Sequence, residues 1–304
     1  MVARREAAVG ARDTARDGHN GRLKAGLREA LQAVLRERPQ DVPPPRLIAA
    51  AGMITSAQGL LEVPHVAAPA GSRDLAAAAR ETILPDVADL PFVFVPGVRT
   101  LSRPGAPGGI GATDVMRGEE TLCVGLLRQA VLPAGASLLN LGSHWKLVRT
   151  DGEGRIAWSI TSLSGEMIQA VRAQTVLASA LPEGPLSEPD EAALAEGIDE
   201  ARRSGLPRAL FCVRLLELAG GPKPGARLSF LVGAFIGTEL DGLRTTGALA
   251  PGTSVAVAGG EKVGGAWAAV LAQNGCVVRS LSADDVEAGF LAGLRALVAL
   301  RTPS

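Results

Sequence analysis

The chain predicts an α/β protein of two domains, and three observations carry that expectation. Its 304 residues exceed what one hydrophobic core comfortably serves. Short apolar runs rich in Val, Ile and Leu alternate with longer stretches of helical period, the order of α/β folds. After the segment VLPAGA the pattern changes from mixed elements to consecutive short strands, which puts a boundary near residue 134 and gives domains 1–134 and 135–304.

Within the first domain, Leu23, Leu27, Leu31, Val34 and Leu35 repeat on one face, predicting a helix over Arg22–Arg38 that Pro39 stops. RLIAAAGM reads as a buried strand running into a glycine turn. A helix at about Arg73–Thr82 precedes a second strand, PFVFVPG, and then the glycine- and proline-rich loop SRPGAPGGIGATD. A helix begins near Gly118 with Leu122, Leu126, Leu127 and Ala130 on one side.

In the second domain SLLNLG and WKLVRT are strands, and DGEG turns the chain into RIAWSITS, a hairpin signature. Helices are predicted at about Gly165–Ser179, Glu188–Ser204, Arg208–Leu218 and Ala226–Arg244. SVAVAGG, a helix, CVVRSL and a closing helix, ADDVEAGFLAGLRALVAL, resume the strand–helix alternation.

Bulk properties exclude several classes of function. Lys+Arg and Asp+Glu both total 31, so net charge gives no argument for nucleic acid or anionic lipid. Aromatic residues are 3% and tyrosine is absent, against a base-stacking surface. The longest apolar run, LSFLVGAFIG, is too short for a bilayer, which needs about 20 residues. Cys123, Cys212 and Cys276 form no CxxC pair and read as reduced core residues of a cytoplasmic protein.

Four segments offer chemistry. In DVMRGEET, Glu119 and Glu120 open a helix behind Arg117 and Gly118. Acids there complement the helix dipole by roughly 0.3–1 kcal/mol. Alternatively, one carboxylate takes the proton of a substrate hydroxyl while Arg117 and the helix start hold an anionic group. In LGSHWKLV, the turn Gly142-Ser143-His144 with Lys146 either wraps a phosphate in backbone N–H groups or is an ordinary hairpin turn. In VAVAGG, Gly259-Gly260 lets a phosphate or flat ligand approach the backbone, or simply joins strand to helix. Gly233 and Gly237, four apart on an apolar helix, read as a close crossing with another element. No GxGxxG with a later ribose-binding acid, no Walker loop, no zinc spacing and no nucleophile elbow is present.

AGMITSAQGLLEVPHVAAPAG (Ala51–Gly71), VPGV, DVMRGEET, LGSHWKLV, SLSGEM (Ser162–Met167), SFLVGAFIGTEL and VAVAGG occur in order over most of the chain. In that order they resemble the 2-dehydro-3-deoxygalactonokinase family, sugar-acid kinases of the actin-like ATPase superfamily. DVMRGEET is the most specific of them. The resemblance implies two ribonuclease-H-like domains flanking a cleft, with the last helix returning to the first domain. It implies ATP and Mg2+ as cofactors and phosphorylation of 2-dehydro-3-deoxy-D-galactonate to its 6-phosphate in galactonate breakdown. Small-molecule partners are implied as well, with no nucleic acid or membrane, and oligomerisation is left open. By the same resemblance Gly142, Ser143, His144 and Lys146 lie at a phosphate-binding hairpin, and Gly259 and Gly260 near the adenosine. Glu119 is the base, with Glu120 as the alternative. Gly52, Ser56, Arg117 and Gly118 meet the sugar acid.

The chain departs from the family pattern in places. The family opens with an Asp-x-Gly-(Ser/Thr) hairpin that supplies a first phosphate loop. This chain starts with the segment that comes after such a hairpin, so its first domain is expected to be truncated at the N-terminus. His65 stands where the family has tyrosine, and Leu141-Gly142-Ser143-His144 where it has Pro-Gly-Thr-His. Two expectations result: an active kinase whose first phosphate loop comes from elsewhere, or an impaired paralogue that binds sugar acid or nucleotide without phosphotransfer.

Overall fold

A computed structural model describes residues 3–301 except 107, 185 and 187. Residue 107 falls in the predicted SRPGAPGGIGATD loop and 1–2 and 302–304 at the chain ends, so those parts of the expectations lie outside the described residues.

The elements run α1 (Ala11–Asp17), α2 (Gly21–Arg36), β1 (Ile48–Ala50), β2 (Val66–Ala67), α3 (Ser72–Ala78), β3 (Arg80–Leu84), β4 (Ala88–Phe94), β5 (Val98–Thr100), β6 (Asp114–Met116) and α4 (Glu119–Arg128). They continue as β7 (Ser137–Leu141), β8 (Trp145–Thr150), β9 (Ile156–Ser162), α5 (Ser164–Gln174), α6 (Glu191–Ser204), α7 (Leu206–Leu218), α8 (Pro224–Thr245), β10 (Ser254–Gly259), α9 (Glu261–Gln273), β11 (Val277–Ser280) and α10 (Ala283–Ala299).

Three sheets organise them. β7, β8 and β9 form an antiparallel meander, and β10 and β11 extend it in parallel beside β7, giving the order β11-β10-β7-β8-β9. Strict alternation buries both faces of this sheet. Leu139, Leu147, Val255 and Val257 face a core shared with α8 and α9, while Leu138, Val148, Ala256 and Ala258 face one shared with α4 and α10. A second sheet, β1-β4-β3, packs Ala50, Phe92 and Phe94 against Leu23 of α2.

The third sheet, β2-β5-β6, was not anticipated. Its strands have two or three residues, too few for alternation to register, and β6 begins within the segment read as a loop. The helix expected over Arg73–Thr82 also ends early. Ala79 is extended, and Arg80–Leu84 pairs antiparallel with β4, in keeping with the β-branched Thr82 and Ile83.

Helix crossings are made by backbone contact, which only glycine permits. A Cβ at Gly233 of α8 would lie 2.1 Å from the Leu194 carbonyl oxygen of α6. This is the close crossing predicted for that apolar helix. A Cβ at Gly125 of α4 would lie 1.7 Å from the Gly289 oxygen of α10, and one at Gly293 would lie 1.9 Å from the Thr121 oxygen. The last helix therefore seats α4.

Candidate active site

Two groups of predicted residues assemble locally. In the first, β6 delivers Arg117 and Gly118 to the start of α4. Gly118 has φ 110°, a left-handed conformation suited to glycine, and a Cβ there would meet Gly52 Cα at 3.5 Å. The Gly52 turn therefore lies against the helix start. Arg117 Nη1 donates to Thr55 Oγ1 (3.0 Å) and Nη2 to the Val63 carbonyl (2.7 Å). Ser56 Oγ donates to the Met53 carbonyl at 2.8 Å, so its hydroxyl proton is spent within the turn.

The two glutamates differ sharply. Glu120 is fully buried, and its carboxylate accepts the Gly118 N–H on both oxygens (2.9 and 2.7 Å) and the Thr121 hydroxyl (3.0 Å). Burial pushes its carboxyl up to about 7, the negative charge of Glu119 adds to the rise, and the amide hydrogen bonds oppose it. Glu119 is only partly buried, yet its Oε2 is shielded from solvent and has no hydrogen-bond partner. One carboxylate closes the helix start; the other keeps an acceptor oxygen unused.

The second group joins two turns at one end of the five-stranded sheet. Gly259, φ 150°, pairs in register with Leu141, and a Cβ on it would lie 2.6 Å from Leu141 Cβ. Gly142-Ser143-His144 comes next in the chain, and the Ser143 and His144 amides donate to no protein acceptor among the described residues. Gly260 precedes α9, whose start has no side-chain cap. Its first-turn amides are therefore open, as at any uncapped helix start.

Sequence reasoning did not assign a role to the start of α5, although SLSGEM marked the segment. A Cβ at Gly165 would lie 2.0 Å from the Gly142 oxygen, and Glu166 N–H donates to Ser143 O at 2.6 Å. His144 Nε2 lies 3.6 Å from Glu166 Oε2, with both side chains about half exposed.

Lys146 has a different placement from its neighbours in that group. It is buried, and its ammonium donates to the Val115 carbonyl and to Thr161 Oγ1, both at 2.6 Å. Asp114 Oδ2 accepts from Thr161 (2.9 Å) and from Ser159. Val115 lies just before Arg117 and Lys146 just after His144, so this network ties the strand carrying the first group to the strand carrying the second. Among the described residues no three His, Cys, Asp or Glu side chains converge to hold a metal.

Beside α9 runs a groove of about 380 Å3 against α6, with Leu194, Ile198, Ala266 and Val270 in its walls and Glu261 and Lys262 at its rim. Its size suits a small organic ligand.

Comparison with known proteins gives this geometry a context. A curated Rhizobium meliloti (strain 1021) protein, named as a probable 2-dehydro-3-deoxygalactonokinase, is 30% identical over 250 residues, 81% of this chain and 77% of that protein. A crystal structure of a protein assigned as a 2-dehydro-3-deoxygalactonokinase from Sinorhizobium meliloti superposes with a TM-score of 0.72 at 29% identity. That match covers 97% of this chain and 91% of the other. The sequence profile described as 2-keto-3-deoxy-galactonokinase matches residues 1–297. With a solved relative spanning nearly its whole length and a profile match to residue 297, the chain belongs to the 2-keto-3-deoxy-galactonokinase family.

Proposed function

We propose that the protein transfers the terminal phosphoryl group of ATP to the 6-hydroxyl of 2-dehydro-3-deoxy-D-galactonate, a step of galactonate breakdown, with Glu119 as general base. The observation that carries this reading is the solvent-shielded, unpartnered Oε2 of Glu119 at the start of α4. Leaving such an oxygen unpaired costs on the order of 1–3 kcal/mol, and a substrate hydroxyl donating to it removes that cost. Glu120 serves as a positioning residue, since both of its oxygens already hold Gly118.

The residues present fit a nucleotide. Gly259 leaves bare backbone beside the Gly142-Ser143-His144 turn, and the open amides of that turn and of α9 suit phosphate oxygens. The groove between α6 and α9 is the site we assign to the base. Bound ATP would supply the phosphoryl group, and Mg2+ bound with it would neutralise its charge. Lys146 acts in this reading as a strut between strands. The antiparallel meander continued by two parallel strands supports a ribonuclease-H-like lobe over 135–304, facing a substrate lobe over 1–134.

The alternative reading is ligand binding without phosphotransfer. A coupled assay of ADP release, with the sugar-acid product identified by mass, decides between them. ATP-dependent 6-phosphate formation is the expected result. Calorimetric binding of the sugar acid without any product would replace the first reading with the second.

A further inference from the structure

A cationic corner gathers on the sheet β2-β5-β6, on side chains that the kinase reading mostly leaves without a role. Val66 pairs with Val98 and Val98 with Met116, so the adjoining His65, Gly97 and Arg117 form one row across three strands. The middle member has no side chain. A Cβ there would come within 2.8 Å of both His65 Cδ2 and Arg117 Cγ. Imidazole and guanidinium therefore meet over Gly97, with Arg117 Nη2 3.4 Å from His65 Nδ1. Arg99 is two residues further along β5, on the same face as Gly97, and exposed.

We propose that His65, Arg117 and Arg99 together bind the carboxylate of the sugar acid, Arg117 and Arg99 as charges and His65 as a neutral positioning residue for Arg117. The proposal rests on the sugar-acid kinase reading, which assigns only Arg117 of these three to the substrate. Its first support is chemical. Arg117 and Arg99 are like charges on one face whose repulsion an anion between them relieves, and arginine pairs with carboxylates through parallel hydrogen bonds. Its second support is the state of the imidazole. Burial pushes His65 below its usual value, Arg117, Arg99 and Lys146 lower it further, and Glu62 opposes them. A neutral ring that accepts from Arg117 at Nδ1 carries its proton on Nε2 and keeps that N–H as a further donor. Its third support is position. Arg117 runs directly into Gly118 and Glu119, so an acid held by its carboxylate here extends its carbon chain toward the helix start.

The experiment compares 2-dehydro-3-deoxy-D-galactonate with its uncharged 1-amide on the full chain, by calorimetry and by steady-state kinetics. The acid is expected to bind about tenfold or more tightly than the amide. Arg99→Ala should bring the two within about threefold while the KM for ATP stays unchanged. His65→Leu should raise the KM for the acid about tenfold with little change in kcat, and His65→Asn, which keeps an acceptor near Nδ1, should restore most of it. An acid-to-amide ratio untouched in Arg99→Ala overturns the corner while product formation leaves the kinase reading standing. Wild-type protein that discriminates acid from amide through Arg99, yet makes no phosphorylated product, keeps the corner and removes the kinase. Binding of neither compound ends both.

Discussion

Asp114 and Lys146 face each other at 3.8 Å, both largely withdrawn from water, and join β6 to β8. Breaking a buried pair by removing one member leaves the other charge uncompensated, at a cost of about 3–5 kcal/mol. Lys146→Met should therefore lower unfolding free energy by about 3 kcal/mol in urea titrations. Adding Asp114→Asn should recover part of that loss. A double variant no more stable than Lys146→Met alone would show that the two charges are not coupled.

Glu119→Gln should reduce kcat by on the order of 10²-fold or more while leaving the KM of both substrates close to wild type. The expected pattern is asymmetric, because Glu120→Gln touches only the group that holds Gly118. If Glu120→Gln abolished turnover and Glu119→Gln did not, the roles assigned to the two carboxylates would be reversed.

Glu120 also sets a pH dependence of stability. Its carboxyl is raised from 4.5 to about 7 on folding, so between those values the folded chain holds more proton than the unfolded one. The stabilisation is complete below pH 4.5 and is lost as pH rises through 7. At about 1.4 kcal/mol per unit this amounts to roughly 3 kcal/mol. Glu120→Gln should flatten that portion of the stability curve, so that the variant gains on wild type between pH 5 and 8. Denaturant midpoints that run parallel across the range would contradict the assignment.

Gly293→Ala should be destabilising by on the order of 1–3 kcal/mol, since its methyl group would press on the Thr121 carbonyl and push α10 away from α4. Turnover should fall with it, because Thr121 adjoins the two glutamates. Gly242→Ala is the matched control: it lies on α8 with nothing within 4 Å of the added carbon. There a neutral or slightly stabilising effect is expected. Equal destabilisation by both changes would remove the packing argument.

Much of this architecture was written in local pattern. The leucine row of α2, the DGEG hairpin between β8 and β9, and the apolar α8 with its small residues all reach the structure nearly as read, because each carries its own local signal. In the helices it is spacing sustained over several turns, and in the hairpin an Asp-Gly turn between alternating runs. The β2-β5-β6 sheet did not, since its strands are too short to show alternation and their partners are distant in sequence. Individual glutamates could not be told apart either. Their adjacency is visible in GEE, but which of them closes onto Gly118 depends on the φ of that glycine. Lys146 was read only as part of the phosphate-binding hairpin, whereas it is buried, with Val148, on the face of β8 opposite Trp145 and Leu147. Its burial and its carbonyl partner on β6 required the fold.

The seating of α4 by Gly289 and Gly293 has a consequence for biosynthesis. A nascent chain can form the meander and the α6–α8 crossing while α10 is still inside the ribosome, but α4 then rests only on the sheet face of Leu138 and Val148 until that later segment emerges. The packing of α4, with Glu119 and Glu120 at its start, is therefore completed only once α10 has emerged. Ribosome-stalled intermediates lacking α10 would carry the β7–β9 meander with the sheet face beside α4 left partly uncovered.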